Sequence, residues 1–121
     1  MSTLDSIYNL SFDKLRSANI DRLLSSKYAK CESDWQTAHW VQAMLGEFGE
    51  LANILKKVDR GDFPISSVKQ KIKDELGDIQ TYLDILAYKL DINLGDATAY
   101  KFNIVSKRIG SNVLMKTVDA D

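Results

Sequence analysis

Val41-Gln-Ala-Met-Leu-Gly-Glu-Phe-Gly-Glu-Leu-Ala-Asn-Ile-Leu55 decides the fold class. Its apolar residues Val41, Met44, Leu45, Phe48, Ala52 and Leu55 recur at spacings of three and four, the period of a helix face. Glu47 and Glu50 are three apart and therefore share a face, on a line with Ala43 and Ile54 and flanked by Trp40 and Leu51. Surface glutamates ordinarily have polar neighbours along their line, and these have apolar ones. A second segment repeats the arrangement. Ile72, Leu76, Ile79, Leu83 and Leu86 form its stripe, while Glu75, Asp78 and Tyr82 follow one flank, with Lys71 and Lys89 near the ends of that line. Both helices are apolar around most of their circumference apart from the acids. That pattern belongs to helices inside a bundle or an oligomer, with the carboxylates facing inward.

Outward from this pair the chain reads as all-α, a bundle of four to five helices completed by oligomerisation. Helical periodicity covers most of it, and no sustained period-two alternation marks a strand. Short helices are predicted near 11–16 and 19–29, and a long one over 35–59 with Ser33 or Asp34 as N-cap. Arg60-Gly-Asp-Phe-Pro64 breaks it, glycine ending the helix and proline forbidding its continuation. The next helix is predicted over 67–90, capped by Ser66 or Ser67, then a turn at 91–95 and a last helix over 96–109 stopped by Gly110. Residues 111–121 form a polar tail that packs as an arm or frays.

With 121 residues, one domain over 1–121 is expected, 1–33 being its N-terminal short helices. The net charge of -1 gives no global basic field, so no duplex nucleic acid or membrane surface is expected as a partner. Lys69, Lys71 and Lys73 are followed at once by Asp74 and Glu75 and fit a solvated helix start. The lone Cys31 suits a reducing, cytoplasmic setting, and one Cys with one His is too few ligands for zinc. The N-terminus lacks the charged region and apolar core of a signal peptide.

Two packed helices of this kind would bring Glu47, Glu50, Glu75 and Asp78 to one place. Four unscreened acids repel, and burying them unpaired is costly, so a divalent cation is expected among them. Oxygen-only ligands suit a hard ion, Mg²⁺ or Mn²⁺, whereas a di-iron bundle would want Glu-x-x-His pairs. Gly46, Gly49 and Gly77 each precede one of these acids inside a helix, where each glycine costs about 1 kcal/mol relative to alanine. Close helix approach, or room for a ligand, would account for them.

Residues 35–110, with Met44-Leu-Gly-Glu-Phe-Gly-Glu-Leu-Ala52, Lys56-Lys57, Glu75-Leu-Gly-Asp78 and Lys101-Phe-Asn103, resemble the MazG-like all-α nucleoside triphosphate pyrophosphohydrolases. The 24 residues between the two acidic pairs fall in the range that family uses. The resemblance implies a homodimer or homotetramer that hydrolyses the α–β phosphoanhydride of a nucleoside triphosphate to a monophosphate and pyrophosphate. By that likeness Glu47, Glu50, Glu75 and Asp78 hold Mg²⁺. One carboxylate not committed to metal takes the proton, Glu50 being the first choice and Glu47 the other. Lys101 and Asn103 carry over as phosphate or substrate contacts, and Arg108 shares a face with Lys101. Asn103 points elsewhere, about 200° around the helix from Lys101, so the site straddles that helix or borrows from a neighbouring subunit. Lys56 and Lys57 serve either as phosphate contacts or as a solvated face. Trp35, Trp40, Tyr82 and His39 are candidates for a base pocket, against core roles for Trp40 and Tyr82 and a satisfied or exposed role for His39. The chain has one copy of the motif, lacks the length of the dimeric deoxyuridine triphosphatases, and has no motif in 1–33 to align.

Three other readings stand beside this one, among them a regulatory binder that keeps nucleotide affinity without turnover. Phosphoribosyl-ATP pyrophosphohydrolase shares fold and motif but needs more cations than the sequence places. A non-catalytic helical oligomerisation module would make the acids structural.

Overall fold

A computed structural model describes residues 6–25 and 35–119. Within them lie four α-helices, α1 (Phe12–Ser25), α2 (Thr37–Asp59), α3 (Lys69–Lys89) and α4 (Leu94–Arg108), with a 3-10 turn at Ile65–Ser67. The described residues contain no strand, so the all-α expectation holds, at the lower end of the four to five helices. None of these helices is long and apolar enough to cross a membrane.

Helix α1 is one helix where the sequence suggested two. The polar residues that look like a break are its grip on α3. Asn19, buried within α1, donates its amide to Asp84 Oδ2 at 3.0 Å. Arg16 Nε reaches Asp84 Oδ1 at 3.1 Å, and Arg16 Nη2 donates to the Ile92 carbonyl at 2.8 Å. The predicted end of this segment, beyond Ser25, and the proposed caps Ser33 and Asp34 lie outside the described residues.

Gln36 stands at the N-cap of α2, its backbone N–H donating to His39 Nδ1 at 2.9 Å. Ser66 and Ser67 do not cap α3. They belong to the 3-10 turn that follows Pro64, and the Ser67 hydroxyl donates back to the Pro64 carbonyl at 2.8 Å. Helix α4 starts two residues before the predicted Asp96, because Asn93 Oδ1 accepts the Asp96 N–H at 2.9 Å and is the cap.

Three helices stop in the same way, with one residue at positive φ and a backbone bond back across the last turn. In α2 this is Gly61, with Asp62 N–H to the Lys57 carbonyl at 3.0 Å. In α4 it is Gly110, with Ser111 N–H to the Ser106 carbonyl at 2.8 Å. In α3 the position is taken by Asp91 at φ 57, with Ile92 N–H to the Ala87 carbonyl at 2.8 Å.

Helices α2 and α3 are the principal packed pair. Trp40 lies against Tyr82 and Glu47 lies against Glu75, so as one helix ascends the other descends, and they run antiparallel. Leu23, Trp40 and Ile85 form the buried cluster, with Trp35, Tyr82, Leu86 and Tyr88 packed round it. Helix α1 crosses α3, and α4 rests on α1, where a Cβ at Gly95 would already touch Phe12 at 3.4 Å.

The apolar stripe of α2 is not its inward face. Met44 is buried, but Leu45 is 63% and Phe48 49% exposed, and Val41 and Ala52 are exposed too. The line that meets α3 is Trp40, Ala43, Glu47, Leu51 and Ile54, the one carrying an acid. Helix α3 buries Ile79 and half-buries Ile72, Leu83 and Leu86, while Leu76 is 52% exposed.

Candidate metal centre at the seam of two helices

The antiparallel seam brings together ligand oxygens of Glu47, Glu75 and Asp78, all within 4.8 Å of one another. Each helix supplies acids on its flank, and antiparallel packing turns the two flanks toward each other. Glu75 is the deepest, 2% exposed, while Glu47 is half-buried and Asp78 exposed. Lys71, one turn before Glu75 on α3, reaches Glu75 Oε1 at 3.0 Å. The other oxygen, Oε2, is buried, and no amide, hydroxyl or ammonium donor among the described residues meets it. An orphaned buried carboxylate oxygen is expensive, and either a shared proton or a cation would satisfy it.

The titration behaviour expresses the same strain. The hydrogen bond to Glu75 pushes the Glu47 carboxyl up to about 7, helped by burial and by the charges of Glu75, Asp78 and Glu50. Two carboxylates can hydrogen-bond only with a proton between them, and here Glu47 holds it. Glu75 moves the opposite way, held low by that bond and by Lys71. The Lys71 ammonium is correspondingly raised by Glu75.

Glu50 stands outside the three-acid group. It is exposed, one helical turn beyond Glu47, yet close enough for its charge to act on Glu47 and Lys71. Gly46, Gly49 and Gly77 do not mark close helix approach among the described residues. A Cβ at any of the three would meet nothing within 4 Å, because all three lie on the outward side of the seam.

The other predicted residues fall in several places. Trp40 is fully buried beside Trp35, at 4.7 Å between rings, and its Nε1–H has no acceptor among the described residues. Tyr82 is half-buried against the same cluster, with its ring 6.0 Å from that of Trp40. His39 is exposed at the start of α2, where it serves the cap. Lys56 is exposed and Lys57 half-buried near the end of α2. Lys101 and Arg108 are exposed on α4, and Asn103, half-buried there, pairs with the tail.

Sequence reading did not single out Asp84. It is 1% exposed and is held by Arg16 and Asn19, so it locks α1 onto the helix that carries Glu75 and Asp78. The signal was available: an acid enclosed by Leu83, Ile85 and Leu86, with an arginine and an asparagine three apart in another helix.

No family model matches the chain, and no solved structure matches it significantly. The chain is similar to the Gene 37 protein of Mycobacterium phage L5, at 29% identity over 91 residues spanning 74% of this chain and 80% of that protein.

Proposed function

We propose that the chain is a Mg²⁺-dependent, MazG-like nucleoside triphosphate pyrophosphohydrolase that cleaves the α–β phosphoanhydride. One observation carries the reading: a buried glutamate, one oxygen of which meets no amide, hydroxyl or ammonium among the described residues, sits among acids from two helices. Their donor set is all oxygen, which fits a hard divalent ion, Mg²⁺ or Mn²⁺. Glu47, Glu75 and Asp78 would hold it, and Glu50 would join them or act beside them. When bound, the ion supplies positive charge to the triphosphate and acidity to a water.

The chain's own residues have separate parts in this reading. Glu75 is pinned by Lys71 and stays ionised, so it serves as a fixed anchor rather than as a base. Glu50 is exposed and outside the tight group, which leaves it available to take a proton from the attacking water. Lys101 and Arg108 would supply cations to the phosphates. Because α4 rests on α1, a second copy is the natural way to bring them to the acids. The exposed Val41, Leu45, Phe48 and Leu76 beside the acids support such a dimer or tetramer. Trp40, enclosed in the core, contributes to a base pocket only by supporting Tyr82.

The test is pyrophosphate release across ordinary and modified nucleoside triphosphates, with Mg²⁺ and with EDTA. Metal-dependent release with a clear base preference supports the reading. Release from phosphoribosyl-ATP alone moves the assignment to that substrate. Silence on every substrate, from folded protein, favours a helical oligomerisation module, for which the same exposed apolar face is the supporting observation.

A further inference from the structure

Helix α3 carries a lysine where a helix least favours one. Lys71 is its third residue, in a first turn that holds no acid and where the macrodipole is positive. Its partner Glu75 follows four residues later, and a base placed before an acid is the weaker order for a pair one turn apart. Helix energetics therefore do not account for Lys71, whereas the carboxylate cluster does. Its ammonium meets Glu75 Oε1 at 3.0 Å, on a glutamate that is 2% exposed and has an oxygen within 4.8 Å of others from Glu47 and Asp78. One ammonium on one oxygen leaves the cluster short of positive charge, and Glu75 Oε2 stays buried with no donor from the described residues. The Lys71 side chain itself is 57% exposed, so its flexible stem can turn the ammonium into water without disturbing the core.

We infer that Lys71 is the counter-cation of the carboxylate cluster when no divalent ion is bound, and that an arriving ion displaces it from Glu75 into solvent. The inference rests on the cluster being a metal site, as in the function proposed above, and makes Lys71 the residue that sets how tightly the site takes its ion. Ion and ammonium are drawn to the same carboxylate and repel each other, so each weakens the other's hold by the same factor.

The experiment uses the full chain at pH 8 with Mn²⁺ as the probe, free ion being measured by electron paramagnetic resonance, on the natural chain, Lys71→Met and Lys73→Met. Lys73 is exposed on the same helix, about 200° round from Lys71, so its loss removes an equal charge from another face. Lys71→Met is expected to tighten Mn²⁺ about fivefold, the scale of a largely exposed ion pair, and Lys73→Met to stay within about twofold of the natural chain. In the natural chain, Mg²⁺ should speed acetylation of the Lys71 amine, read by peptide mass spectrometry at constant ionic strength, and leave that of Lys73 unchanged. Unchanged or weaker Mn²⁺ binding in Lys71→Met overturns the inference and leaves the metal site standing, as does equal tightening in both variants. Acetylation of Lys71 indifferent to Mg²⁺ overturns the displacement without recourse to any variant. Failure of all three proteins to bind Mn²⁺ at millimolar concentration overturns the metal site and the inference together.

Discussion

Raising the pH of the metal-free protein from 5 to 8 should destabilise it, and the cause should be traceable to Glu47. The folded chain keeps a proton on Glu47 up to about pH 7, while an ordinary carboxylate loses it near 4.5. Between those values the native state binds more protons than the unfolded one, so stability falls as pH rises through the window and is lowest above it. Below 4.5 both states are protonated and the effect vanishes. Glu75, held low, contributes with the opposite sign, but its loss comes as pH falls below the ordinary carboxylate range, outside this window. An unscreened displacement as large as that of Glu47 would be worth roughly 3 kcal/mol. Glu47 is partly open to solvent, and screening reduces this to about 1 kcal/mol. For a domain of this size that is about 4 °C in Tm. The assay is thermal unfolding by circular dichroism at pH 5, 6, 7 and 8, in EDTA and in millimolar Mg²⁺, on the natural chain and on Glu47→Gln. In EDTA the natural chain should lose about 4 °C across the range, and Glu47→Gln should not. Mg²⁺ should restore the natural chain at pH 8 by binding the native state alone. A flat profile in EDTA, or a Glu47→Gln protein with the same slope, would refute the carboxylate pairing.

Asp84→Ala should cost about 3 kcal/mol in urea unfolding, since it strips Arg16 and Asn19 of their shared acceptor in the interior. A loss below about 1 kcal/mol would mean that α1 is held by packing alone. Asp91→Gly should stabilise by roughly 0.5–1 kcal/mol, glycine being at ease at the positive φ where the aspartate sits. A destabilised variant would show that the Asp91 side chain contributes something beyond its backbone. Gly49→Ala should raise helix stability by about 1 kcal/mol at high dilution, where its Cβ meets open space, and weaken self-association in sedimentation. Unchanged sedimentation would remove that glycine from any subunit contact. Asp78→Asn should abolish metal-dependent pyrophosphate release while leaving helical content unchanged; near-full activity would remove Asp78 from the metal set.

The long helices were legible because their apolar spacing is strong and because glycine and proline bound them at 60–64 and 110. The meeting of Glu47, Glu75 and Asp78 was legible for a related reason, the apolar company on their lines, whereas Glu50, expected with them, stays exposed outside the group. What periodicity does not fix is which of two apolar faces meets a neighbour inside the same chain. Helix α2 turns its acid-bearing line to α3 and leaves Leu45 and Phe48 outside, and a helical wheel ranks those faces the other way. The split assigned to α1 had a similar origin. Arg16 and Asn19 look like interruptions until Asp84 appears opposite them, a contact spanning more than sixty residues of sequence. Caps were the least legible, because Gln36 with His39, and Asn93 with Asp96, are set by where tertiary packing lets each helix begin.

The tilted pair Trp35 and Trp40 gives the α2–α3 seam an optical signal of its own. Two indoles 4.7 Å apart and tilted by 55° are close enough to couple electronically, and Trp40, sealed from water, should emit at the short wavelengths of an indole in an apolar medium. Glu47 lies seven residues further along α2, roughly 10 Å away on the same rigid rod. Any spreading or tightening of the two helices as the acids acquire a cation therefore passes through the indole pair. Near-ultraviolet dichroism and emission wavelength would then follow occupancy of the carboxylate cluster directly, without label, substrate or turnover.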